Sequence, residues 1–252
     1  MNSTIAVDLG NSAAKWSVDD LPAQRVSLRS ANWVEHLIGE AQSAVEDKGL
    51  RWRIASVNRP ITKLLVGRLQ EDASTADVRT IHCDDVPIIA KVANPDRVGI
   101  DRLLAAWMAS RLFPRQPSVV VDAGSAITVD IVNHQAEFLG GVILPGIALQ
   151  FDALARGTDA LPAIEWSTAL EITPDCLPIP ATDTETAIRS GILLGAAAAV
   201  DGLIQHHITR AALQEMPLVV LTGGDSILLS RLMAQPHHVM PRLVLDAIRE
   251  LP

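Results

Sequence analysis

The sequence predicts an α/β protein made of two similar halves. Runs of β-branched residues alternate with segments of helical spacing along the 252-residue chain, which is typical of proteins whose helices cover a sheet. Residues 7–18 also align without gaps on residues 121–132, and each copy reads as a strand, an Asp-x-Gly turn and a second strand. A repeated supersecondary unit indicates an internal duplication, so we expect two related domains.

Composition narrows the class of protein. The chain is long enough for two domains of about 110–140 residues, each with its own core. Its net charge of −8 comes without any basic run, so the electrostatic footprint of a nucleic-acid-binding protein is missing. Cys83 and Cys176 have no partner at metal-ligand spacing, which argues against a zinc site and favours a reducing compartment, with one disulfide left open.

The sequence gives no sign of a signal peptide or a membrane span. The N-terminal residues run directly into a predicted strand and lack the charged and apolar regions of a signal peptide. The longest apolar run, residues 191–200, has about half the length that a membrane span needs. We therefore expect a soluble, cytoplasmic protein with no membrane or nucleic-acid partner.

The first half begins with a hairpin around the first Asp-x-Gly turn. Strands are predicted at 4–7, 13–18, 25–28, 52–57 and 79–82, with helices at 32–45, 60–69 and 99–112. Pro87 and Pro95 interrupt the pattern, so residues 84–96 are predicted to be an irregular connection. Residues 113–117 contain two prolines and form the predicted junction between domains 1–115 and 116–252.

The second half starts at Ser118 with the strand that leads into the second turn. Further strands are predicted at 137–144 and 217–221, with helices at 146–156, 184–208, 226–233 and 242–251. Residues 166–182 contain three prolines and are predicted to be a loop. The helix at 184–208 is apolar or small on most sides, so we expect it to be buried by the core or by a partner subunit.

The two Asp-x-Gly turns predict a nucleotide site. Glycine lets backbone N–H groups approach phosphate oxygens closely, and the carboxylate beside it can orient a metal ion. One copy would equally fit an ordinary hairpin turn, whereas two copies fit a nucleoside triphosphate held with Mg²⁺ by one turn from each half. The predicted phosphate-binding residues of these two turns are Asp8, Gly10, Asn11, Ser12, Lys15, Gly124 and Ser125.

A third glycine-containing loop follows the strand at 217–221. The loop Thr222-Gly223-Gly224-Asp225 stands between this strand and the next helix, so we expect its backbone donors to meet the adenosine or the phosphates. The alternative is a strand-to-helix turn that simply requires glycine.

Asp101 is the candidate catalytic residue. It lies beside Arg102 at the start of a predicted helix, where it would accept a proton from an attacking hydroxyl or orient it. Arg102 would then offset charge on phosphoryl oxygens or on an acidic substrate. The alternative is that Asp101 only stabilises the helix N-terminus through the helix dipole.

Seven blocks of the sequence resemble type III pantothenate kinases in their order and spacing. They are residues 8–16, 94–102, 122–128, 140–146, 153–162, 184–191 and 222–224. The match extends from Ile5 to about Leu245, and the order of the blocks is far more specific than any single block.

This resemblance implies an acetate and sugar kinase/Hsc70/actin-type fold. Such a protein has two ribonuclease-H-like domains, each a mixed sheet with flanking helices, and binds ATP in the cleft between them. The implied reaction is the phosphorylation of pantothenate to 4′-phosphopantothenate, the first step of coenzyme A biosynthesis. The implied cofactors are ATP, Mg²⁺ and a monovalent cation, K⁺ or NH₄⁺, and the implied assembly is a homodimer.

The resemblance also assigns roles to individual residues. It implies that Asp101 is the base, that Arg102 contacts pantothenate, and that Asp122 holds the monovalent cation while Asp8 organises Mg²⁺. Thr184 matches a residue that reaches the substrate across a dimer interface. The full set of implied substrate-binding residues is Val92, Gly99, Ile100, Asp101, Arg102 and Thr184.

The sequence departs from the family pattern at two positions. Val92 stands where many members carry a tyrosine that lines the substrate pocket, and Ser125 stands where threonine is common. Serine keeps the hydroxyl, whereas valine removes a ring and a hydroxyl. Two alternatives to the pantothenate kinase stay open for this reason: a non-catalytic nucleotide-binding or regulatory homologue, and a kinase of another small alcohol.

Overall fold

A computed structural model describes residues 3–45, 49–72, 74–165, 172–210 and 215–251 of the chain. Within these ranges the chain forms eleven β-strands, seven α-helices and three short 3₁₀-helices. The chain divides into two compact units. Unit 1 comprises Met1–Ile88, Ala93–Met108 and Arg242–Pro252, and unit 2 comprises Ile89–Val92 and Ala109–Pro241.

Unit 1 is built on a five-stranded mixed sheet. Its strands are β1 (Thr4–Leu9), β2 (Ala13–Val18), β3 (Gln24–Ser27), β4 (Leu50–Ser56) and β5 (Thr75–Thr80). They lie in the order β3-β2-β1-β4-β5. Strand β2 is antiparallel to both β1 and β3, whereas β1, β4 and β5 are mutually parallel. The parallel connections run through helices, as parallel strands require.

Among the described residues, unit 1 contains three helices that contact this sheet and the first part of a fourth. They are α1 (Trp33–Ser43), α2 (Arg59–Gln70), the first part of α3 (Ile100–Leu112) and α7 (Leu243–Glu250). Trp33, Leu37 and Ala41 are buried on one side of α1, because residues spaced by about one helical turn share a face. The Asn58 side chain accepts a hydrogen bond from the Ile61 N–H (3.3 Å) and caps α2.

Unit 2 is built on a six-stranded sheet with the same central topology. Its strands are β6 (Ile89–Ala90), β7 (Ser118–Ala123), β8 (Ala126–Val132), β9 (Glu137–Pro145), β10 (Leu218–Thr222) and β11 (His238–Val239), and its helices are α4 (Ile147–Gly157), α5 (Thr184–Arg210) and α6 (Ser226–Leu232). The order is β11-β10-β7-β8-β9-β6. Buried Val, Ile, Leu and Ala side chains of β7, β8, β10 and α5 form one continuous core.

The two sheets confirm the predicted duplication. Strands β9-β8-β7-β10-β11 of unit 2 repeat the order and the directions of β3-β2-β1-β4-β5 in unit 1. In both units the central strand carries the Asp-x-Gly turn at its carboxyl end. The α/β fold class with two duplicated mixed-sheet domains is therefore confirmed.

The hairpin registers correct one detail of the repeat. In unit 1 Asp8 lies opposite Lys15, whereas in unit 2 Asp122 lies opposite Thr128. The second turn is one residue shorter than the first, so the ungapped alignment pairs Lys15 with Val129, which faces the other side of its sheet. A shift of one residue reverses the face of every side chain in a strand, and Thr128 is the structural counterpart of Lys15.

The compact units also depart from the predicted boundaries 1–115 and 116–252. Ala109–Leu112, at the end of α3, groups with unit 2, and the C-terminal helix α7 groups with unit 1. The helix α7 contacts β1, β2 and β4 and buries Leu243, Leu245 and Ile248. An amphipathic helix shows which of its faces is buried but not which sheet it covers, so sequence order could not place it.

Two short strands were not predicted. Strand β6 lies within the segment 84–96 that was predicted to be irregular, and β11 follows α6. Each has only two residues, which is too short for a periodic signal. In the predicted loop 166–182, residues 166–171 lie outside the described residues, and the remainder contains a 3₁₀ turn at Pro174–Cys176.

Helix α5 (Thr184–Arg210) ends two residues beyond the predicted residue 208, and its apolar stretch is longer than the predicted run of residues 191–200. Among the described residues, it alone has the length and composition of a membrane-crossing helix, with a mean hydropathy of 1.6 over its most apolar window. Forty-four per cent of that stretch is buried in the structure. Core helices of globular proteins can have the same length and composition. Its buried side, with Leu193, Ala197 and Val200, packs in the core of unit 2.

Candidate active site

The first Asp-x-Gly turn is a tight hairpin connection between β1 and β2. The Gly10 N–H donates to the Ala13 carbonyl at 3.1 Å and closes the turn. Asn11 and Ser12 are exposed at its tip, while Asp8 is half-buried at the end of β1. Lys15 is paired with Asp8 across the hairpin, so both side chains lie on the same face of the sheet. The sequence-predicted residues of this turn therefore lie together.

The second turn repeats this closure with one residue fewer. The Gly124 N–H donates to the Ala126 carbonyl at 2.9 Å, and Ser125 is exposed at the tip. The Ser125 carbonyl in turn accepts the N–H of Gly146 at 3.1 Å, at the start of α4. A Cβ on Gly146 would lie closer than 3.0 Å to the carbonyl oxygens of Gly124 and Ser125. Gly146 was not predicted as a site residue, although it supports this turn.

The third loop lies against the second turn. Thr222 is paired with Asp122 in adjacent parallel strands, and the Asp225 N–H donates to the Ala123 carbonyl at 2.9 Å. Gly223 has a φ of +96°, and a Cβ there would lie closer than 3.0 Å to Oδ1 of Asp122. Unit 2 thus brings Asp122, the second turn and the Gly223 loop together, as carboxyl ends of neighbouring parallel strands do.

Burial separates the exposed from the structural members of the third loop. Gly224 is exposed, whereas the Thr222 side chain is almost fully buried, so only its backbone can meet a ligand. Asp225 is also buried, at 7% exposure, and the hydroxyl of Ser226 donates to the Gly223 carbonyl at 2.7 Å. The predicted loop ended at Asp225 and did not include Ser226, which is the first residue of α6.

The segment 98–102 forms the N-terminus of α3. The Gly99 carbonyl accepts the N–H groups of Arg102 (3.1 Å) and Leu103 (3.3 Å), which makes Gly99 the first capping residue. Asp101 and Arg102 are half-buried in the first turn, and the Arg102 N–H donates to Oδ1 of Asp101 at 2.9 Å. Ile100 is only 5% exposed, so its side chain belongs to the core and only its backbone is available to a substrate.

Cys83 lies beside this turn. Its thiol donates to the Val98 carbonyl at an S···O distance of 3.6 Å. Burial raises the pKa of the Cys83 thiol, and the carboxylates of Asp84 and Asp101 raise it further. Cys83 is therefore a neutral donor that holds the residue preceding Gly99.

Val92 lies in unit 2, two residues after the end of β6. It is half-buried, and a Cβ on Gly140 in β9 would come within 3.2 Å of Cγ1 of Val92. Gly140 has a φ of +92°, a conformation that favours glycine. Val92 therefore occupies the space beside Gly140 into which a side chain on that residue would extend.

Thr184 begins α5 and is exposed. Asp183 caps this helix, since its side chain accepts the Thr186 N–H at 2.9 Å. That backbone hydrogen bond is the largest contribution to the lowered pKa of Asp183. The cap fixes the first turn of α5 and presents Thr184 at the surface of unit 2.

In the described part of the chain, no group of three or more His, Cys, Asp or Glu side chains forms a metal centre.

Comparison with known proteins decides the family. A family model described as type III pantothenate kinase matches residues 4–206. The chain belongs to this family. The type III pantothenate kinase of Rhodopirellula baltica is 36% identical over 276 residues, covering 98% of this chain and 97% of the relative. That of Herminiimonas arsenicoxydans is 31% identical over 253 residues, covering 96% and 94%. The family predicted from the seven blocks is confirmed.

Solved structures of the same fold are more distant. A Campylobacter jejuni protein classed with Baf family transcriptional activators has a TM-score of 0.60 at 20% identity, covering 99% of this chain and 96% of that one. The ethanolamine utilization protein EutJ of Carboxydothermus hydrogenoformans has a TM-score of 0.53 at 14% identity, covering 100% and 89%. At these identities the likeness shows the shared fold and nothing about activity.

Proposed function

We propose that this type III pantothenate kinase family member transfers the γ-phosphoryl group of ATP to the primary hydroxyl of pantothenate. The product is 4′-phosphopantothenate, and the reaction is the first step of coenzyme A biosynthesis. The observation that carries the proposal is the family match over residues 4–206, a range that contains both Asp-x-Gly turns and the Asp101-Arg102 pair. The fold alone would not suffice, because one fold hosts many activities.

Asp101 and Arg102 are proposed to act on the substrate. As the hydroxyl oxygen bonds to the γ-phosphorus, the bond from that phosphorus to ADP breaks and the hydroxyl proton passes to Asp101. The guanidinium of Arg102 would bind the carboxylate of pantothenate and so position the substrate, or it would offset charge on the phosphoryl oxygens. Support comes from the first turn of α3, where both side chains are half-buried and the Asp101 carboxylate is held by a backbone N–H.

The glycine turns and the glycine-containing loop within each unit are proposed to bind phosphate oxygens. Backbone N–H groups of Gly10, Asn11, Ser12, Gly124 and Ser125 would bind phosphate oxygens, assisted by Lys15, while Thr222, Gly223 and Gly224 would meet the adenosine or phosphates. The tight closure of both turns supports this, because it leaves the tip residues exposed. These loop residues form the nucleotide part of the proposal.

The two turn carboxylates are proposed to hold the metal ions. Asp8 would bind Mg²⁺ and Asp122 the monovalent cation, K⁺ or NH₄⁺, because carboxylate oxygens are suitable ligands for such hard cations. Both side chains are half-buried at the ends of central strands, beside a glycine turn. When bound, the ions would offset the negative charge of the phosphates.

A homodimer is proposed to form along α5, with Thr184 reaching the substrate of the partner subunit. The exposed side of α5 carries small residues at one-turn spacing, which permits close approach of a second helix. They are Ala187, Gly191, Gly195, Ala198 and Gly202.

Substitution of Gly195 by Arg should give a folded monomer, because a Cβ at Gly195 meets no atom within 4 Å among the described residues. Sedimentation of G195R against G67R, an equally open helical glycine, tests this.

The proposed location is the cytoplasm, without a membrane or nucleic-acid partner. The net charge of −8 supports the absence of a nucleic-acid partner. Two well-separated cysteines give no support to an extracellular disulfide framework. Fractionation of cells that express the tagged full chain checks the location, and recovery in the membrane fraction would contradict it.

A kinase of another small alcohol is the second candidate, and Val92 is the observation that favours it. Replacement of a tyrosine ring by valine against Gly140 removes both area and a hydroxyl from the position that the family resemblance assigns to substrate binding. A panel of small alcohols and pantothenate analogues, run on the wild type and on V92Y, separates the two candidates. Pantothenate preferred by both proteins would remove the alternative.

The deciding experiment is a coupled ADP-release assay with ATP, Mg²⁺ and pantothenate, performed in K⁺ and again in Na⁺. Pantothenate-dependent turnover stimulated by K⁺ is the expected result. Absence of turnover with every alcohol, while calorimetry still detects ATP binding, would instead indicate a non-catalytic nucleotide-binding homologue.

A further inference from the structure

The start of α4 meets the second Asp-x-Gly turn through backbone atoms. The Gly146 N–H donates to the Ser125 carbonyl at 3.1 Å. A Cβ built on Gly146 would lie closer than 3.0 Å to the carbonyl oxygens of Gly124 and Ser125, and 2.8 Å from the carbonyl carbon of Ser125. All three atoms belong to the backbone of the turn, so no side-chain rotation can relieve the overlap. A side chain at position 146 therefore requires either the turn or the start of α4 to move.

Backbone conformation does not explain this glycine. Gly146 has a φ of −64° and a ψ of 165°, which every residue type can adopt. It directly precedes the first residue of α4, where serine, aspartate and asparagine are preferred because their side chains cap the helix. The proximity of the turn is therefore the feature that excludes a side chain.

Helix α4 is anchored by the core and by its own hydrogen bonds. Ile147, its first residue, is fully buried in the core of unit 2. The side-chain amide of Gln150 donates to the Pro145 carbonyl at 2.9 Å, and the backbone N–H of Gln150 donates to the Gly146 carbonyl at 3.0 Å. Ser125, in contrast, is exposed at the tip of the turn. A new side chain at position 146 should therefore displace the turn rather than the helix.

The hydrogen bond from Gly146 has an equivalent in unit 1. Strands β3 and β9 occupy corresponding positions in the two sheets, and in each unit the residue directly after that strand donates its N–H to the carbonyl of the serine at the tip of the turn. The distances are 3.0 Å from Leu28 to Ser12 and 3.1 Å from Gly146 to Ser125. The bond itself does not require glycine, because leucine makes it in unit 1. Its recurrence indicates that fixing the tip of the turn is part of the repeated unit.

We propose that Gly146 is a positioning residue that holds the Ser125 N–H in the direction needed to bind a nucleotide phosphate. The carbonyl of Gly124 and the N–H of Ser125 belong to one trans peptide unit and point in opposite directions. The Gly124 oxygen occupies the space that a side chain at position 146 would need, so this N–H is directed away from α4. A side chain there would displace the oxygen and rotate the N–H with it. The inference rests on the proposed function, in which this turn binds the phosphates of ATP.

Titration calorimetry with ATP and Mg²⁺, in the absence of pantothenate, tests the proposal. The dissociation constant for ATP should rise by about 10–100-fold in G146A, the loss expected for one hydrogen bond to a charged group. G157A is the matched control, because Gly157 ends the same helix and no described atom lies within 4 Å of a Cβ there. Its ATP affinity should equal that of the wild type. Circular dichroism checks that both variants are folded, and an unchanged dissociation constant in folded G146A would overturn the proposal.

Kinetics separate positioning from a purely structural role. G146A should raise KM for ATP and leave KM for pantothenate unchanged, because the Ser125 N–H is proposed to contact the nucleotide. A fall in Tm with both KM values unchanged would show that Gly146 only stabilises unit 2. A rise in KM for pantothenate alone would assign the residue to the other substrate. Either result would overturn the proposal.

A second variant decides the matter if G146A does not fold. Q150M removes the amide that holds the Pro145 carbonyl and keeps the length of a side chain that is partly exposed. Its dissociation constant for ATP should rise by about 2–5-fold, the effect of losing one neutral hydrogen bond beside Gly146. ATP affinity equal to that of the wild type would then overturn the proposal.

The inference and the proposed function fail in different ways. A wild type that binds ATP but does not phosphorylate pantothenate would contradict the proposed reaction, while the comparison of G146A with G157A would still decide the role of Gly146. A wild type that does not bind ATP would overturn both.

Discussion

Oδ1 of Asp122 occupies the space that a side chain on Gly223 would need. A Cβ on Gly223 would overlap both this oxygen and the carbonyl oxygen of Ala123, and the φ of +96° at Gly223 disfavours any other residue. The carboxylate proposed to hold a cation and the loop proposed to meet the nucleotide are thus in contact within unit 2. A change at either one displaces the other.

We expect G223A to lose both stability and ATP affinity. The strained backbone and the overlap together should lower the free energy of unfolding by about 1–3 kcal/mol. ATP binding should weaken by about tenfold. Thermal unfolding and titration calorimetry measure the two effects. G224A is the matched control for stability, because no described atom lies within 4 Å of a Cβ at that position, and its free energy of unfolding should resemble that of the wild type. Similar behaviour of the two variants would remove the packing argument.

The variant D101N should lower kcat by about 10²–10⁴-fold, the usual effect of removing a general base. Asparagine keeps the shape of the side chain and its hydrogen bond to the Arg102 N–H. The fold and ATP binding should therefore stay intact, which circular dichroism and calorimetry check. Wild-type turnover in D101N would exclude Asp101 from the proton transfer.

The guanidinium of Arg242 ties the C-terminal helix to unit 1. It donates to the carbonyl oxygens of Asp19 (3.1 Å), Asp20 (2.7 Å) and Leu21, and to the Asp246 carboxylate. The substitution R242A should lower the free energy of unfolding by about 2 kcal/mol, because it leaves carbonyl groups without a charged donor. R249A is the control, since Arg249 pairs with the exposed side chain of Asp20 and should matter less. Denaturant unfolding compares them, and equal effects would argue against the Arg242 contacts.

Mild acid should destabilise unit 2 through His207. Burial lowers the pKa of its imidazole below the usual 6.5, despite a hydrogen bond with the Val129 backbone and the nearby Asp130 carboxylate. The unfolded chain therefore binds a proton at higher pH than the folded chain, so stability falls as the pH drops below about 6.5. We expect Tm to fall between pH 7.5 and 5.5, and by less in H207Q. The exposed neighbour variant H206Q should change the slope by less than H207Q does, because the charge of His206 is the smallest of the causes of the pKa shift of His207. An unchanged slope in H207Q would count against this assignment.

The two cysteines should differ in reactivity. A hydrogen bond with the Thr173 hydroxyl is the main cause of the lowered pKa of the exposed Cys176, whereas burial raises the pKa of Cys83. The thiolate is the nucleophile, so iodoacetamide should label Cys176 first and at lower pH. Mass spectrometry of partly labelled protein measures the order. T173V should slow labelling of Cys176 alone, and faster labelling of Cys83 would contradict the prediction.

The sequence by itself determined the fold class, the duplication and most elements. The spacing of apolar residues predicted the long helices and the central strands because burial on one face imposes a period of 3.6 or 2 residues. The Asp-x-Gly turns were visible for a related reason. Glycine has no side chain, so a phosphate oxygen can approach the backbone of the turn closely. The motif was also recognisable because it occurs twice in the sequence.

The tertiary structure alone decided the pairing registers, the position of α7 and the supporting contacts of the site. The one-residue difference between the hairpins, with Thr128 rather than Val129 opposite Asp122, depends on backbone hydrogen bonds that a linear alignment does not contain. The helix α7 joins a sheet that begins more than 200 residues earlier in the chain. The position of Oδ1 of Asp122, in the space that a side chain on Gly223 would need, depends on the direction of the Asp122 side chain. Local propensity cannot encode these features, because each is set by which distant surfaces meet.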